Sequence, residues 1–189
     1  MTHVPVDAFE QRYRRDLDPW AFATSAYEQR RYDLSVAALL RPRYRRAFEP
    51  GCAIGELTRR LALRCDEVVA IDASPTIVAE ARRRLAPATN VRLSAGELPD
   101  DWPAGAFDLV VLSEIGYYFT VPALAQLRDR AVAALEPGGT LLAVHWRGTS
   151  ADHLIQGDDV HRCLGAGAGL RPAGRYEDVG FVLDVWTRA

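Results

Sequence analysis

From residue 44 onward, short apolar runs alternate with stretches whose apolar positions recur three and four residues apart. The runs near 45–49, 67–72, 90–94, 107–112 and 140–146 have the length and continuity of strands covered on both faces. The intervening stretches near 55–65, 75–86, 121–135 and 158–166 carry helical periodicity. Local signals punctuate this pattern. Ser25-Ala26-Tyr27-Glu28 has capping-box spacing and opens a helix running to about Leu40. Ser74-Pro75 reads as an N-cap followed by proline at the first helical position, and Pro137-Gly138-Gly139 ends the 121–135 helix. Residues 1–24 are polar and aromatic around the turn Asp18-Pro19-Trp20, and no regular element is expected there.

Strands separated by helices imply a parallel sheet with right-handed crossovers and helices on both faces. The tail breaks this rhythm. Arg175-Tyr176-Glu177 and Phe181 to Trp186 lie close together around Val179-Gly180, which is hairpin spacing, so the last two strands should run antiparallel. The expected organisation is one α/β domain, with an N-terminal lid segment and helix over 1–40 and the core over 41–189.

Composition narrows the chemistry. The chain has 189 residues, 49% of them hydrophobic and 25% charged, and a net charge of −2. That is a globular profile without the basic excess that a nucleic-acid backbone demands. Lysine is absent, which removes a P-loop, a Schiff base and any lysine nucleophile. Cys52, Cys65 and Cys163 form no CxxC pair, and the histidines His3, His145, His153 and His161 have no metal-ligand spacing, so no metal is expected. No apolar run is long enough to span a bilayer and no signal-peptide core is present, so a cytoplasmic protein without a membrane partner is expected. Oligomeric state is not legible.

The most informative segment is Glu49-Pro50-Gly51-Cys52-Ala53-Ile54-Gly55, followed by the strand Val68-Val69-Ala70-Ile71-Asp72. Glycines between a strand and a helix let the backbone approach a ligand, and an acid ending the second strand sits where a βαβ fold holds a ribose diol. A dinucleotide fingerprint needs glycine at 53 and 56, where this chain has Ala53 and Glu56, which disfavours an NAD(P) oxidoreductase. The pattern resembles motif I of the class I S-adenosylmethionine (SAM) dependent methyltransferases, with Ala53 in place of the middle glycine. Together with Asp18-Pro19-Trp20, Tyr27-Glu28-Gln29-Arg30-Arg31 and Ser113-Glu114-Ile115-Gly116-Tyr117-Tyr118, it is similar to the nodulation protein S (NodS) group, which N-methylates an amino sugar.

That resemblance implies a single-domain Rossmann-like fold with a seven-stranded, mostly parallel sheet. It also implies SAM as cofactor and S-adenosylhomocysteine as product. Gly51, Cys52, Ala53 and Gly55 would let the chain approach the cofactor, and Glu49 would lie near its amino-acid end. Asp72 and Ala73 would meet the ribose, and Glu97 and Leu98 the adenine. Ser113 would border the methyl end. Arg31, on an inward helix face with Tyr27 and Leu34, is a candidate partner for the cofactor carboxylate, with Trp20 closing over it. Glu114, Tyr117 and His145 are the candidate catalytic residues, with His145 as the proton acceptor. The C-terminal third, with His145-Trp146-Arg147 and Gly157-Asp158-Asp159-Val160-His161, has no counterpart in the resemblance. The expected acceptor is a small polar molecule, an amine of an amino sugar or similar metabolite. An O-methyltransferase is the alternative, and a non-catalytic SAM-binding protein a more distant one.

Overall fold

The computed structural model describes residues 2–189. Seven strands form one sheet in the order β3-β2-β1-β4-β5-β7-β6. The strands are β1 (Tyr44–Pro50), β2 (Cys65–Asp72), β3 (Val91–Ala95), β4 (Phe107–Ser113), β5 (Leu135–Trp146), β6 (Leu170–Glu177) and β7 (Phe181–Arg188). The first five are parallel. β7 then runs antiparallel to both β5 and β6, so the C-terminal hairpin extends the sheet beyond β5. Order reverses between β1 and β4, and the crevice beyond the carboxyl ends of these strands is the place where such sheets bind ligands.

Alternate side chains of each central strand enter separate cores. Ala47 joins a cluster with Leu57, Leu61 and Tyr32, beneath α3 (Glu56–Ala62) and α2 (Ala26–Ala37). Phe48 joins the opposite cluster with Leu124, Leu127 and Leu164, beneath α5 (Val121–Ala134) and α6 (Gly157–Gly165). β4 is buried along its whole length, as its apolar run requires. No helix among the described residues is long and apolar enough to cross a membrane.

Three local features differ from expectation. Helix α3 stops at Ala62 because β2 begins at Cys65, leaving a two-residue turn. Pro137-Gly138-Gly139 does not separate helix from strand: Leu135 already pairs with Phe107, and Thr140 pairs with Leu109 after a register shift, so the glycines form a bulge inside β5. The N-terminal segment contains a helix, α1 (Val6–Arg15), with Asp7 in its first turn and Arg12, Arg14 and Arg15 in its last. Phe9 and Tyr13, four apart, pack with Trp20, Phe22, Ile54 and Ile77 in a small third cluster.

Glu10 docks α1 on the N-terminus of α4 (Pro75–Arg84). Its carboxylate accepts hydrogen bonds from the hydroxyls of Ser74 and Thr76, the latter at 2.6 Å. Ser74 meanwhile caps α4 by accepting from the Ile77 N–H at 3.1 Å. The Ser74 and Thr76 hydroxyls hold the Glu10 pKa down to about 2. A depressed carboxylate pKa stabilises the fold above the ordinary value and loses that contribution as pH falls through the native one. Glu10→Gln should therefore cost about 1 kcal/mol at pH 7, a helix-cap-sized loss for a partly exposed group. Denaturant titrations should show the difference fading between pH 4.5 and pH 2; a difference independent of pH would refute the assignment.

Candidate active site

The turn after β1 is built on left-handed backbone. Gly51, Ala53 and Gly55 have φ of 74°, 47° and 87°. Ala53 therefore holds a conformation that costs an L-residue about 1 kcal/mol. The turn is tied to β2: the Gly51 and Cys52 N–H groups donate to the Ile71 carbonyl at 2.8 and 3.1 Å. Asp72 accepts from the N–H of Ala53 and of Ser74, each at 3.0 Å. Burial raises the Asp72 pKa to about 6, against the lowering pull of those amides. The glycines also serve packing. A Cβ on Gly51 would stand 2.4 Å from Ile115 Cγ2, and one on Gly55 2.6 Å from Leu85 Cδ1. Gly55 does not face the cavity described next. It is the N-cap residue of α3 and packs against Leu85.

A cavity of about 440 Å³ opens at the switch point. Gly51, Ala53, Asp72 and Ala73 line it from the first two strands, and Glu97 and Leu98 from the loop after β3. Ser113, Glu114 and Tyr117 contribute from the end of β4, and Trp20, Tyr13 and Phe9 from the N-terminal segment. A small adjoining recess is bordered by Glu49, Cys52 and Ser113. Glu49 is buried, and its Oε2 has no hydrogen-bond partner. Burial pushes its pKa up to about 8.

His3, assigned no role from sequence, reaches this cavity. Its Nε2 lies 2.7 Å from Glu97 Oε1. The strand-like segment that carries it is held by hydrogen bonds from Val4 N–H to the Tyr118 carbonyl and from Thr120 N–H to the Thr2 carbonyl, both 2.9 Å. No local pattern could announce this contact, because the two residues are far apart in the chain.

Arg31 is the largest departure on the cofactor side. It is 1% exposed and does not line the cavity. It forms an ion pair with Glu28 on its own helix, lies 3.4 Å from Glu114 Oε1, and donates to Ser113 Oγ at 3.1 Å. Its terminal nitrogens thus meet protein carboxylates, while its Nε is buried without a hydrogen-bond partner. Glu28, three residues before Arg31 on the same helix, was the missed signal. It opens α2 but does not close a capping box: Ser25 Oγ accepts from the Glu28 N–H at 3.4 Å, while the Glu28 carboxylate turns to Arg31.

Glu114 has a left-handed φ of 59° and ends β4 by turning its carboxylate back on its neighbours. Oε2 accepts from the Tyr117 hydroxyl at 2.6 Å, and Oε1 from the Trp146 N–H at 2.7 Å. Burial raises its pKa and the Arg31 guanidinium opposes the rise.

His145 is also corrected. It has no exposed surface. Its Nε2 accepts the Gly116 N–H at 3.0 Å, which puts the proton on Nδ1, 3.0 Å from His161 Nε2. His161 Nδ1 in turn donates to Asp184 at 2.7 Å. Burial holds the His145 pKa well below its usual value. This chain pins the Gly116 turn from behind the cavity and leaves no ring nitrogen for an acceptor. Besides His3, the histidine that does line the cavity is His153, with Asp152 beside it. Both lie in the loop between β5 and α6, where the sequence carries no motif.

Comparison with known proteins agrees with this architecture. The family model for nodulation protein S (NodS) matches residues 6–150. Nodulation protein S of Bradyrhizobium diazoefficiens is 31% identical over 160 residues, 79% of this chain and 72% of that protein. The Sinorhizobium fredii protein of the same name is 29% identical over 127 residues, 66% of this chain, and the match spans only 59% of that relative. Among solved structures, a Pseudomonas syringae protein provisionally described as a methyltransferase is 43% identical with a TM-score of 0.77, covering 87% of this chain and all of that one. The N-methyltransferase NodS of Bradyrhizobium japonicum bound to S-adenosylhomocysteine shares the fold at a TM-score of 0.81 and 23% identity, over 95% of this chain and 97% of that one.

Glu49 makes a pH prediction. Its carboxyl is protonated in the fold up to about pH 8 and ionises at the ordinary 4.5 when unfolded. The native state binds the extra proton between those values, so the sign is opposite to that of Glu10: stability falls as pH rises through this window. Glu49→Gln should match wild type near pH 4.5 and exceed it by about 2–4 kcal/mol at pH 8 in the ligand-free protein. Urea titrations at several pH values read this directly, and a constant offset would contradict it.

Proposed function

The chain belongs to the nodulation protein S (NodS) family of SAM-dependent methyltransferases, and from that premise we propose that it N-methylates a small amine, such as an amino sugar or a similar metabolite. One observation carries the amine. Glu28 and Glu114 share the single guanidinium of Arg31, which leaves a net negative charge buried on the cavity wall. Among the described residues, Glu28, Asp72, Glu97, Glu114 and Asp152 line the cavity and no arginine does. A buried excess of negative charge is costly without a cation. A protonated amine supplies that cation where a hydroxyl would not.

The residues present fit the cofactor. Glu49 Oε2, buried without a partner, suits an α-ammonium group. Asp72 keeps lone pairs for a ribose diol beyond the two amides it already accepts. Glu97 and Leu98, lining the cavity from the loop after β3, suit the adenine. SAM supplies a methyl group already activated on a sulfonium. What remains for the protein is to bind, align the acceptor nitrogen and exclude water. Tyr117, fixed by Glu114 and stacked against His153, gives the acceptor a rigid aromatic wall. Trp20, stacked on Phe22 with centroids 5.3 Å apart, and α1 form the lid.

A transfer assay with isotopically labelled SAM and a panel of amino sugars and other small amines tests the proposal. Label in a secondary amine product supports it, and label only on hydroxyl products would overturn it. The cofactor site has its own test. Asp72→Ala should weaken SAM binding by about 2–4 kcal/mol, two charge-assisted hydrogen bonds. Asp72→Asn, which keeps an acceptor for the Ala53 amide, should fall between that variant and wild type. Calorimetry finding all three proteins equal would remove Asp72 from the site.

A further inference from the structure

We propose that His153 is the residue that takes the proton from the acceptor nitrogen before methyl transfer. The inference rests on the amine reading above and adds to it a residue outside the segment that matches the family model, which ends at 150.

Partner assignment isolates this histidine. His3 is engaged by Glu97, His145 by Gly116 and His161, and His161 by Asp184. His153 lines the cavity shared by Glu114, Tyr117 and Asp72. Its Nδ1 is buried without a hydrogen-bond partner, which leaves Nε2 as the nitrogen open to an acceptor. The ring is held rigidly. It stacks on Tyr117 with centroids 3.7 Å apart and planes 17° apart, and Tyr118 and Trp146 stand edge-on at 5.5 and 6.0 Å. Tyr117 is itself fixed by its hydrogen bond to Glu114. The base and the acidic cluster are thus joined through one tyrosine, so an ammonium drawn to the carboxylates lies beside the imidazole.

Burial, not charge, favours a neutral ring. Burial lowers the His153 pKa, and Asp152 opposes this. The Asp152 charge is in turn divided with Arg12 of α1 at 3.2 Å and with the Ser150 hydroxyl. Tyr117 and Tyr118 keep their protons, since burial raises both hydroxyls above their ordinary range. The ring is therefore ready to accept at neutral pH.

The step balances. The N–H bond of the ammonium breaks, the proton goes to Nε2, and a neutral amine and an imidazolium result. The amine lone pair then forms the N–C bond while the C–S pair stays on sulfur, so the sulfonium charge moves to the methylated nitrogen. The imidazolium returns its proton to water. Proton transfer from an amine to imidazole is uphill, and methyl transfer draws it forward.

The test uses the full chain with an amine that the wild type methylates. His153→Ala and His153→Gln should leave SAM affinity unchanged by calorimetry and lower kcat by about 100-fold or more, with a smaller change in KM. The acidic limb of the wild-type kcat profile, where His153 becomes protonated, should vanish in both variants. Nitrogen-15 NMR of the imidazoles gives a readout without turnover: His153 should titrate below the ordinary histidine value, and its Nε2 signal should shift when the amine is added. Variants with wild-type kcat and an intact acidic limb would overturn the proposal, as would a His153 signal blind to the amine. A wild type that methylates no amine would instead defeat the functional reading, while leaving the NMR titration of the free protein interpretable.

Discussion

The guanidinium of Arg31 holds the acceptor side of the molecule together. A fully buried cation is affordable only when anions and hydrogen-bond acceptors surround it, and here they come from two places in the chain. Glu28 belongs to the same helix, while Ser113 and Glu114 end the central strand β4. The ion pair therefore pins α2 across the carboxyl edge of the sheet. It also fixes Glu114, which in turn orients Tyr117 and caps the Trp146 amide at the end of β5. Two strand ends, one helix and the aromatic wall share one charge. Removing it would leave two buried carboxylates facing each other, a larger loss than any single contact in the group.

The cofactor side works by a different device. There the backbone itself is the binding surface, and its shape depends on three residues in left-handed conformation stitched to β2 by Ile71 and Asp72. Asp72 serves two purposes at once. It closes the turn through the Ala53 amide and presents its remaining lone pairs to the cavity. Ala53 shows that the turn tolerates a methyl group at its centre, at the cost of local strain. Gly51 and Gly55 tolerate none, because Ile115 and Leu85 occupy the space.

Two acids, one half-buried and one fully buried, set opposite pH responses in the same molecule. Glu10 is stabilised as an anion by hydroxyls at a helix N-terminus, whereas Glu49 is buried with an unpartnered oxygen and prefers its proton. The first is an arrangement complete within the protein. The second is a site whose electrostatics improve when a cationic group enters.

Local chemistry determined much of this protein. The alternation of apolar runs with helical periodicity specified five parallel strands, and the spacing around Val179-Gly180 specified the hairpin, because these patterns act over a few residues. The glycine turn and the acid ending β2 were legible for the same reason. Helix α1 escaped notice because its apolar face is only Val6, Phe9 and Tyr13, and it becomes stable by docking on α4. Long-range pairing decided the rest. Sequence places His145 at a strand end facing the switch point, but only the fold sets the Gly116 amide and His161 against its two nitrogens. Arg31 was rightly expected inside, yet its anions belong to the protein. His153 carries no local signal, since a histidine in a loop acquires a role only from what the chain folds against it.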